Sequence, residues 1–138
     1  MNIEQRVRDA VDAAWVADRA AELVSVPSVT MNEQEVCVLF EEMMRSLGLD
    51  VLARPITPGR NNLYARIPGS GGGPTLLFNG HLDTIPQGAC GPMRREEGRI
   101  YGRGSTDMKG GMAAMLGAAK ALVDSGMQTR GDVWLTAV

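Results

Sequence analysis

The sequence predicts an α/β fold in which a mixed sheet is covered by helices, and three observations support this prediction. Segments with helical periodicity are mixed along the chain with short strand-like segments. Glycine- and proline-rich turns separate these segments. The 138 residues are 44% hydrophobic and 22% charged, which is ordinary for a globular chain. We therefore expect one domain with a buried core.

Charge and hydropathy argue against several classes of partner. A net charge of -2 and the lack of a basic run predict no nucleic-acid partner. No apolar run approaches the roughly 18 residues of a membrane span, and the first residues do not resemble a secretion signal. Two cysteines, Cys37 and Cys90, are too few for a disulfide framework, so free thiols are expected. The sequence thus predicts a soluble, cytoplasmic protein without membrane contact.

The first third of the chain predicts helices. Residues 3–24 carry an apolar stripe whose phase changes at Asp18, which indicates a bend or two short helices. A clearer helix follows, with Asn32 as its N-cap, Glu35 completing a capping box, and Gly48 as a left-handed stop. Core packing rather than a cofactor wall is the favoured role of its apolar positions, which are Val36, Leu39, Phe40, Met43, Met44 and Leu47.

The middle of the chain predicts strands. Residues 51–56 form a probable edge strand, because Pro55 cannot donate a backbone hydrogen bond. Alternating residues in 63–67 predict a half-buried strand. The glycine-rich segment 68–74 predicts a hairpin connection, since the Lys-Ser/Thr of a phosphate loop does not follow it. The apolar run 75–79 then predicts a central strand that is buried on both faces.

The last third predicts two strands and one helix. Residues 99–101 form a short strand after a polar stretch at 94–97. A helix should run from about Lys109 to Ser125 and end at Gly126, and its small apolar surface is typical of a helix packed on a sheet. Residues 132–138 predict the final strand.

The residues that can carry chemistry lie between Thr75 and Met112. This stretch holds the only histidine, His81, together with Asp83 and Asp107. His81 and Asp83 directly follow a predicted strand, at the edge where ligands of open α/β sheets gather. Asp83 could orient the imidazole or bind a metal directly, and the two oxygens of Asp107 could bind one metal or bridge two. Such a mixture of donors suits Zn²⁺.

Spacing alone leaves other interpretations open. His81 could be a surface histidine paired with an acid, and Asp107 could be a helix N-cap. A nucleotide site at Gly102 and Gly104 is weaker, because Asp107 replaces the third glycine of the dinucleotide fingerprint. Arg103 and Lys109 could bind a substrate carboxylate, but structural pairing with nearby acids is favoured.

Two motifs carry a family resemblance. Residues 80–86 (GHLDTIP) and 98–111 (GRIYGRGSTDMKGG) resemble the metallopeptidase/amidohydrolase family of acetylornithine deacetylase, succinyl-diaminopimelate desuccinylase, aminoacylase and glutamate carboxypeptidase. Residues 26–29 and 61–63 fit the upstream pattern of that family, so the resemblance covers nearly the whole chain. It implies that residues 1–138 are the N-terminal part of a zinc-exopeptidase-like catalytic domain.

The resemblance also implies roles for the three site residues. His81 would bind one metal, Asp83 would belong to the catalytic set by orienting His81, and Asp107 would bridge two metals, normally zinc with cobalt as the alternative. A cis peptide between Asp107 and Met108 is implied as well. The implied reaction is hydrolysis of an amide bond in an N-acyl amino acid or small peptide, in which a glutamate takes a proton from metal-activated water.

The sequence departs from the family pattern in two places. The loop 87–97 is short and lacks the Trp and Pro-Phe commonly found there. In the family, the strand matching 132–138 leads to an acidic pair that supplies the general base and a metal ligand. We expect three parts of the family's pattern to lie outside residues 1–138: this acidic pair, the C-terminal half of the catalytic domain and the dimerisation (lid) domain. We therefore expect this chain alone to be inactive. A homodimer is expected only for a full-length relative, and a non-catalytic metal-binding or interaction module is the alternative hypothesis.

Overall fold

A computed structural model describes residues 2–138 and confirms the α/β class. The helices and strands follow one another as α1 (Ile3–Asp9), α2 (Ala13–Ser25), α3 (Gln34–Ser46), β1 (Asp50–Thr57), β2 (Arg60–Ile67), β3 (Leu76–Gly80), β4 (Arg94–Glu96), β5 (Arg99–Tyr101), α4 (Lys109–Ser125) and β6 (Val133–Ala137). The main sheet has the strand order β1-β2-β6-β3, in which β3 and β6 are parallel and the other pairs antiparallel. The sheet is therefore mixed, as predicted.

Residues 3–24 do form two helices, but the phase change at Asp18 lies inside α2 and does not mark the break between them. The break lies between α1 and α2, before Asp18, and Asp12 caps α2 by accepting a hydrogen bond from the Trp15 amide at 2.9 Å. Gly126, with φ of +65°, ends α4 in the left-handed conformation that favours glycine. None of the helices within residues 2–138 is long and apolar enough to cross a membrane.

The capping box predicted at Asn32 is wrong. The N-cap of α3 is Glu33, and its side chain makes no capping hydrogen bond. Both Glu33 oxygens instead accept from the guanidinium of Arg60, at 2.8 and 2.9 Å. A bidentate pair of charged groups is stronger than a neutral cap, so a contact across the fold decides this helix start.

The hairpin predicted at residues 68–74 is also wrong, because β2 and β3 do not pair. β6 lies between them, with Leu135 opposite Ala65 on one side and opposite Phe78 on the other. The 68–74 segment instead follows the loop before β6, and the amides of Ser70 and Gly71 donate to carbonyls of residues 129 and 130 at 2.8 Å. The intervening strand comes from distant sequence, which local turn signals do not report.

β3 is not the central strand buried on both faces that its apolar run predicts. β3 is the last strand of the sheet, and Leu76 and Leu77 are 51% and 56% exposed. β1 is the opposite edge strand, as Pro55 predicted. An apolar run reports hydrophobicity but not the number of neighbouring strands, so the pattern did not distinguish a central strand from an edge strand.

One continuous hydrophobic core joins α2, α3 and α4 to the sheet. Its fully buried side chains include Leu23, Val36, Phe40, Met44, Leu63, Met112, Leu116 and Leu135. The polar stretch at 94–97 contributes the strand β4, which pairs with β5 in a separate two-stranded sheet. Both cysteines are free, as expected.

Candidate metal centre

His81, Asp83 and Asp107 lie together just beyond the carboxyl end of β3, where the sequence placed them. They line one cavity of about 350 Å³. Its other lining residues are Thr30, Thr84, Ile85, Cys90 and the turn at residues 102–106. The fold thus joins the end of an edge strand with the turn before α4, which are well separated in the sequence.

The imidazole of His81 is held between oxygen atoms at both ring nitrogens. Nδ1 lies 3.0 Å from the main-chain oxygen of Asp83 and 3.0 Å from its Oδ1, and Nε2 lies 3.0 Å from Oδ1 of Asp107. Burial alone would lower the pKa of His81. The hydrogen bond to Asp107 and the contacts with Asp83 outweigh it, so the pKa of His81 is raised above its ordinary value.

The Asp83 carboxylate has a partner at each oxygen. Oδ1 faces Nδ1 of His81, and Oδ2 accepts a hydrogen bond of 2.6 Å from the hydroxyl of Thr30. Asp83 therefore approaches the imidazole at Nδ1, while Asp107 approaches it at Nε2. This arrangement favours orientation of His81 over direct ligation as the role of Asp83.

Asp107 does not act as a helix cap. The N-cap of α4 is Met108, without a side-chain capping bond, and the Asp107–Met108 peptide is cis, as the resemblance implied. The Asp107 side chain is 87% exposed. Its carboxylate thus remains accessible from the cavity while one oxygen faces His81.

Tight packing sets the position of the turn that carries Asp107. A Cβ at Gly110 would lie 2.4 Å from the main-chain oxygen of Ser105, and a Cβ at Gly104 would lie 2.8 Å from Cγ2 of Thr84. Gly104 also has φ of +86°. The turn is therefore in close contact with both the start of α4 and the segment that carries His81.

Arg103 and Lys109 have structural partners, although these are carbonyls rather than the acids that were expected. Arg103 donates to the main-chain oxygens of Pro86 and Gln87 at 3.1 and 3.3 Å. Lys109 is only 1% exposed and its Nζ donates to the Val26 oxygen at 2.6 Å. Burial lowers the pKa of Lys109 to about 8.

The sequence does not predict two contributors to the site. Residues 26–29 carry only a fit to the upstream pattern of the family, yet the segment around Ser28 and Thr30 lies beside residues 82–84. Cys90, on a short 3-10 helix at Gly88–Cys90, lines the same cavity as His81. The extended, β-branched pair at 29–30 was a signal for the first contact, but nothing in the sequence indicated its partner.

The donor set fits part of a zinc site. Nε2 of His81 and Oδ1 of Asp107 are 3.0 Å apart, which allows both to contact one ion at roughly 2.0–2.2 Å. Within residues 2–138, no group of three or more His, Cys, Asp or Glu side chains is arranged to hold an ion by itself. A complete zinc site needs donors beyond these two.

Fold and site together describe an α/β domain with a candidate metal centre at one edge of its sheet. Residues 77–138 match the model of Peptidase family M20/M25/M40, and the chain belongs to this family. Succinyl-diaminopimelate desuccinylase of Gluconacetobacter diazotrophicus is 39% identical over a 125-residue alignment, and the match covers 84% of this chain and 32% of that protein. The enzyme of the same name from Methylorubrum extorquens strain PA1 is 40% identical over a 116-residue alignment, and the match covers 76% of this chain and 30% of that protein. The chain spans about a third of the length of these relatives.

Solved structures agree with this assignment. Aminopeptidase PepT from Bacillus cereus superposes with a TM-score of 0.77 at 26% identity, over 93% of this chain and 36% of that one. An M20 metallo-carboxypeptidase from Sulfolobus solfataricus superposes with a TM-score of 0.71 at 26% identity, and the match covers 88% of this chain and 30% of that one. The YXEP protein of Bacillus subtilis, a dinuclear metal binding peptidase, shares the fold with a TM-score of 0.67 at 16% identity. This match covers 91% of this chain and 36% of that one.

Proposed function

We propose that this protein is part of an enzyme that hydrolyses amide bonds in N-acyl amino acids or small peptides, with zinc or cobalt as the metal. One observation carries the proposal: His81 is fixed at Nδ1 by Asp83 and presents Nε2 to Asp107 at 3.0 Å. Family membership and the two desuccinylase relatives support the amide bond as the target.

Each residue of the site has a chemical task in this proposal. His81 and Asp107 would hold the metal, which when bound polarises the scissile carbonyl and lowers the pKa of a water molecule. Asp83 keeps the proton of the imidazole on Nδ1, so that Nε2 offers its lone pair. The exposed Asp107 carboxylate leaves its second oxygen available to another ion.

The proton acceptor has no candidate in the cavity. No glutamate is among the described residues that line it, and its carboxylates, Asp83 and Asp107, are already assigned to orientation and metal binding. General-base catalysis needs a group within hydrogen-bonding reach of the attacking water. We therefore propose that a group outside this cavity lining supplies the base, and we expect the chain alone to be inactive.

A chimera tests the proposed function. Residues 1–138 would replace the matched third of the Gluconacetobacter desuccinylase, and the purified, zinc-loaded chimera is expected to release succinate from N-succinyl-diaminopimelate. The 138-residue chain with zinc should release none. The same chimera with His81→Ala, in which the metal loses its nitrogen ligand, should lose the activity.

Two outcomes would contradict the proposal. A folded chimera that binds zinc but remains inactive would favour a non-catalytic metal-binding module. If the 138-residue chain itself hydrolysed the substrate at a rate comparable to that of the relative, the chain would have to contain its own general base, which would contradict the proposal.

Zinc binding at His81 is expected to depend on pH. Protons and zinc compete for Nε2 of His81, whose pKa is raised by Asp107 and Asp83 against the effect of burial. Below that raised pKa the apparent zinc affinity should fall by about tenfold per pH unit, and each bound zinc should release about one proton. Calorimetric titration in two buffers of different ionisation enthalpy measures both quantities. A zinc affinity that does not change between pH 5 and pH 8 would contradict ligation by His81.

The raised pKa of His81 also determines how the stability of the metal-free protein changes with pH. Because the pKa of His81 is raised in the folded state, protonated His81 stabilises the fold below its unfolded pKa. This contribution is lost as the pH rises through the folded pKa, which is the range in which zinc begins to bind. Zinc should therefore raise the melting temperature more at pH 8 than at pH 6.

A further inference from the structure

Thr30 contacts the site, but the proposed reaction assigns no role to this contact. Its hydroxyl donates to Oδ2 of Asp83 at 2.6 Å, while Oδ1 of the same carboxylate lies 3.0 Å from Nδ1 of His81. The three side chains form a continuous series from Thr30 through Asp83 to the imidazole, whose far nitrogen faces Asp107. We infer that Thr30 is a positioning residue, which fixes the Asp83 carboxylate and thereby the imidazole; the inference rests on the proposed metal-dependent function.

The main chain fixes where the Thr30 hydroxyl lies. The amide of Thr84 donates to the Ser28 oxygen at 2.8 Å, and the amide of Thr30 donates to the Thr84 oxygen at 3.0 Å. Ser28 is fully buried and its hydroxyl donates to the Leu82 oxygen at 2.8 Å. These bonds flank Asp83 on both sides, so Thr30 and Asp83 are held at a fixed separation by backbone pairing rather than by flexible side chains.

The hydroxyl of Thr30 has one good acceptor. Its distance to the Thr84 oxygen is 3.5 Å, which is too long to compete with the bond of 2.6 Å to Asp83. Hydrogen bonds to an ionised carboxylate are also stronger than those to a neutral carbonyl. Of the two protein acceptors, the Thr30 hydroxyl therefore bonds to Asp83.

Asp83 needs such a restraint. The terminal torsion of an aspartate is soft, and this side chain is 29% exposed, so water competes for Oδ2. Nδ1 of His81 has a second acceptor in the main-chain oxygen of Asp83, at 3.0 Å. Loss of the hydroxyl should therefore loosen the imidazole without releasing it. Changes to an outer partner of a metal ligand weaken metal binding by about 10–100-fold, and the lower end, about tenfold, is expected here.

Zinc titration and NMR of the 138-residue chain test the inference. Thr30→Val keeps the shape of the side chain and removes the hydroxyl, and Thr30→Ala provides a second removal. Thr30→Ser keeps the hydroxyl. Thr129→Val is the matched control, because its hydroxyl donates to the Gly131 oxygen at 2.7 Å in the loop before β6, at the end of the sheet opposite the site.

His81 is the only histidine, so its ring signals are unambiguous in ¹⁵N-labelled protein. In the zinc-loaded chain, Thr30→Val and Thr30→Ala are expected to weaken zinc binding by about tenfold and to speed exchange of the Nδ1 proton with water. Thr30→Ser and Thr129→Val are expected to match the wild type in both measurements.

Unchanged affinity and unchanged Nδ1 proton exchange in Thr30→Val and Thr30→Ala would overturn the inference and leave the metal centre intact. An equal loss in Thr30→Ser would also overturn it, because the hydroxyl would then not be the cause. Failure of the proposed function has a different signature, namely zinc binding that His81→Ala does not reduce.

Discussion

Replacing His81 with alanine is expected to abolish specific zinc binding to this chain, a loss of at least about 100-fold. Changes to outer partners of a metal ligand already cost about 10–100-fold, and His81 supplies the only imidazole available. Its Nε2 lies 3.0 Å from Asp107 Oδ1, so removal leaves the Asp107 carboxylate without the nitrogen donor that faces it. Calorimetric titration of the purified chain with zinc measures the effect.

A matched pair of aspartate variants extends this test. Asp107→Ala should weaken zinc binding to a similar extent, because it removes the carboxylate that faces Nε2. Asp132→Ala removes an aspartate that pairs with Arg66 at 2.8 Å, near the amino end of β6 and away from the cavity. Asp132→Ala should bind zinc like the wild type. If His81→Ala and Asp107→Ala both retained wild-type affinity, the ligand assignment would be wrong.

Gly110→Ala is expected to destabilise the fold and to weaken zinc binding together. The added Cβ would lie 2.4 Å from the main-chain oxygen of Ser105, so either the turn that carries Asp107 or the first turn of α4 must move. Overpacking costs about 1–3 kcal/mol, against a gain of about 1 kcal/mol when alanine replaces glycine in a helix. We expect a lower free energy of unfolding and, because Asp107 is displaced from His81, a zinc affinity about tenfold lower.

The neighbouring glycine provides the control. A Cβ at Gly111 would lie 3.5 Å from Cε of Met108, an ordinary contact. Gly111→Ala should therefore raise the free energy of unfolding by up to about 1 kcal/mol and leave zinc binding unchanged. Urea denaturation and zinc titration of the two variants compare them directly. Stability changes of the same sign in both variants would contradict the packing argument.

Much of the fold was predictable because many of its signals are local. Apolar periodicity located α2, α3 and α4, and alternation located β2, since both patterns depend only on neighbouring residues. The site was predictable for a similar reason. His81 and Asp83 directly follow a strand, and Asp107 lies in a glycine-rich turn directly before a helix, so their placement at one edge of the sheet followed from the chain order.

The sequence by itself determined the fold class, most of the elements and the three residues at the centre of the site. Only the tertiary structure decided that β6 separates β2 from β3, that β3 is an edge strand and that Glu33 pairs with Arg60 instead of capping α3. It also brought Thr30 into contact with Asp83, which lies 53 residues later in the sequence. These features are contacts between residues distant in sequence, and a local pattern shows which residues seek burial or a partner but not which partner they find.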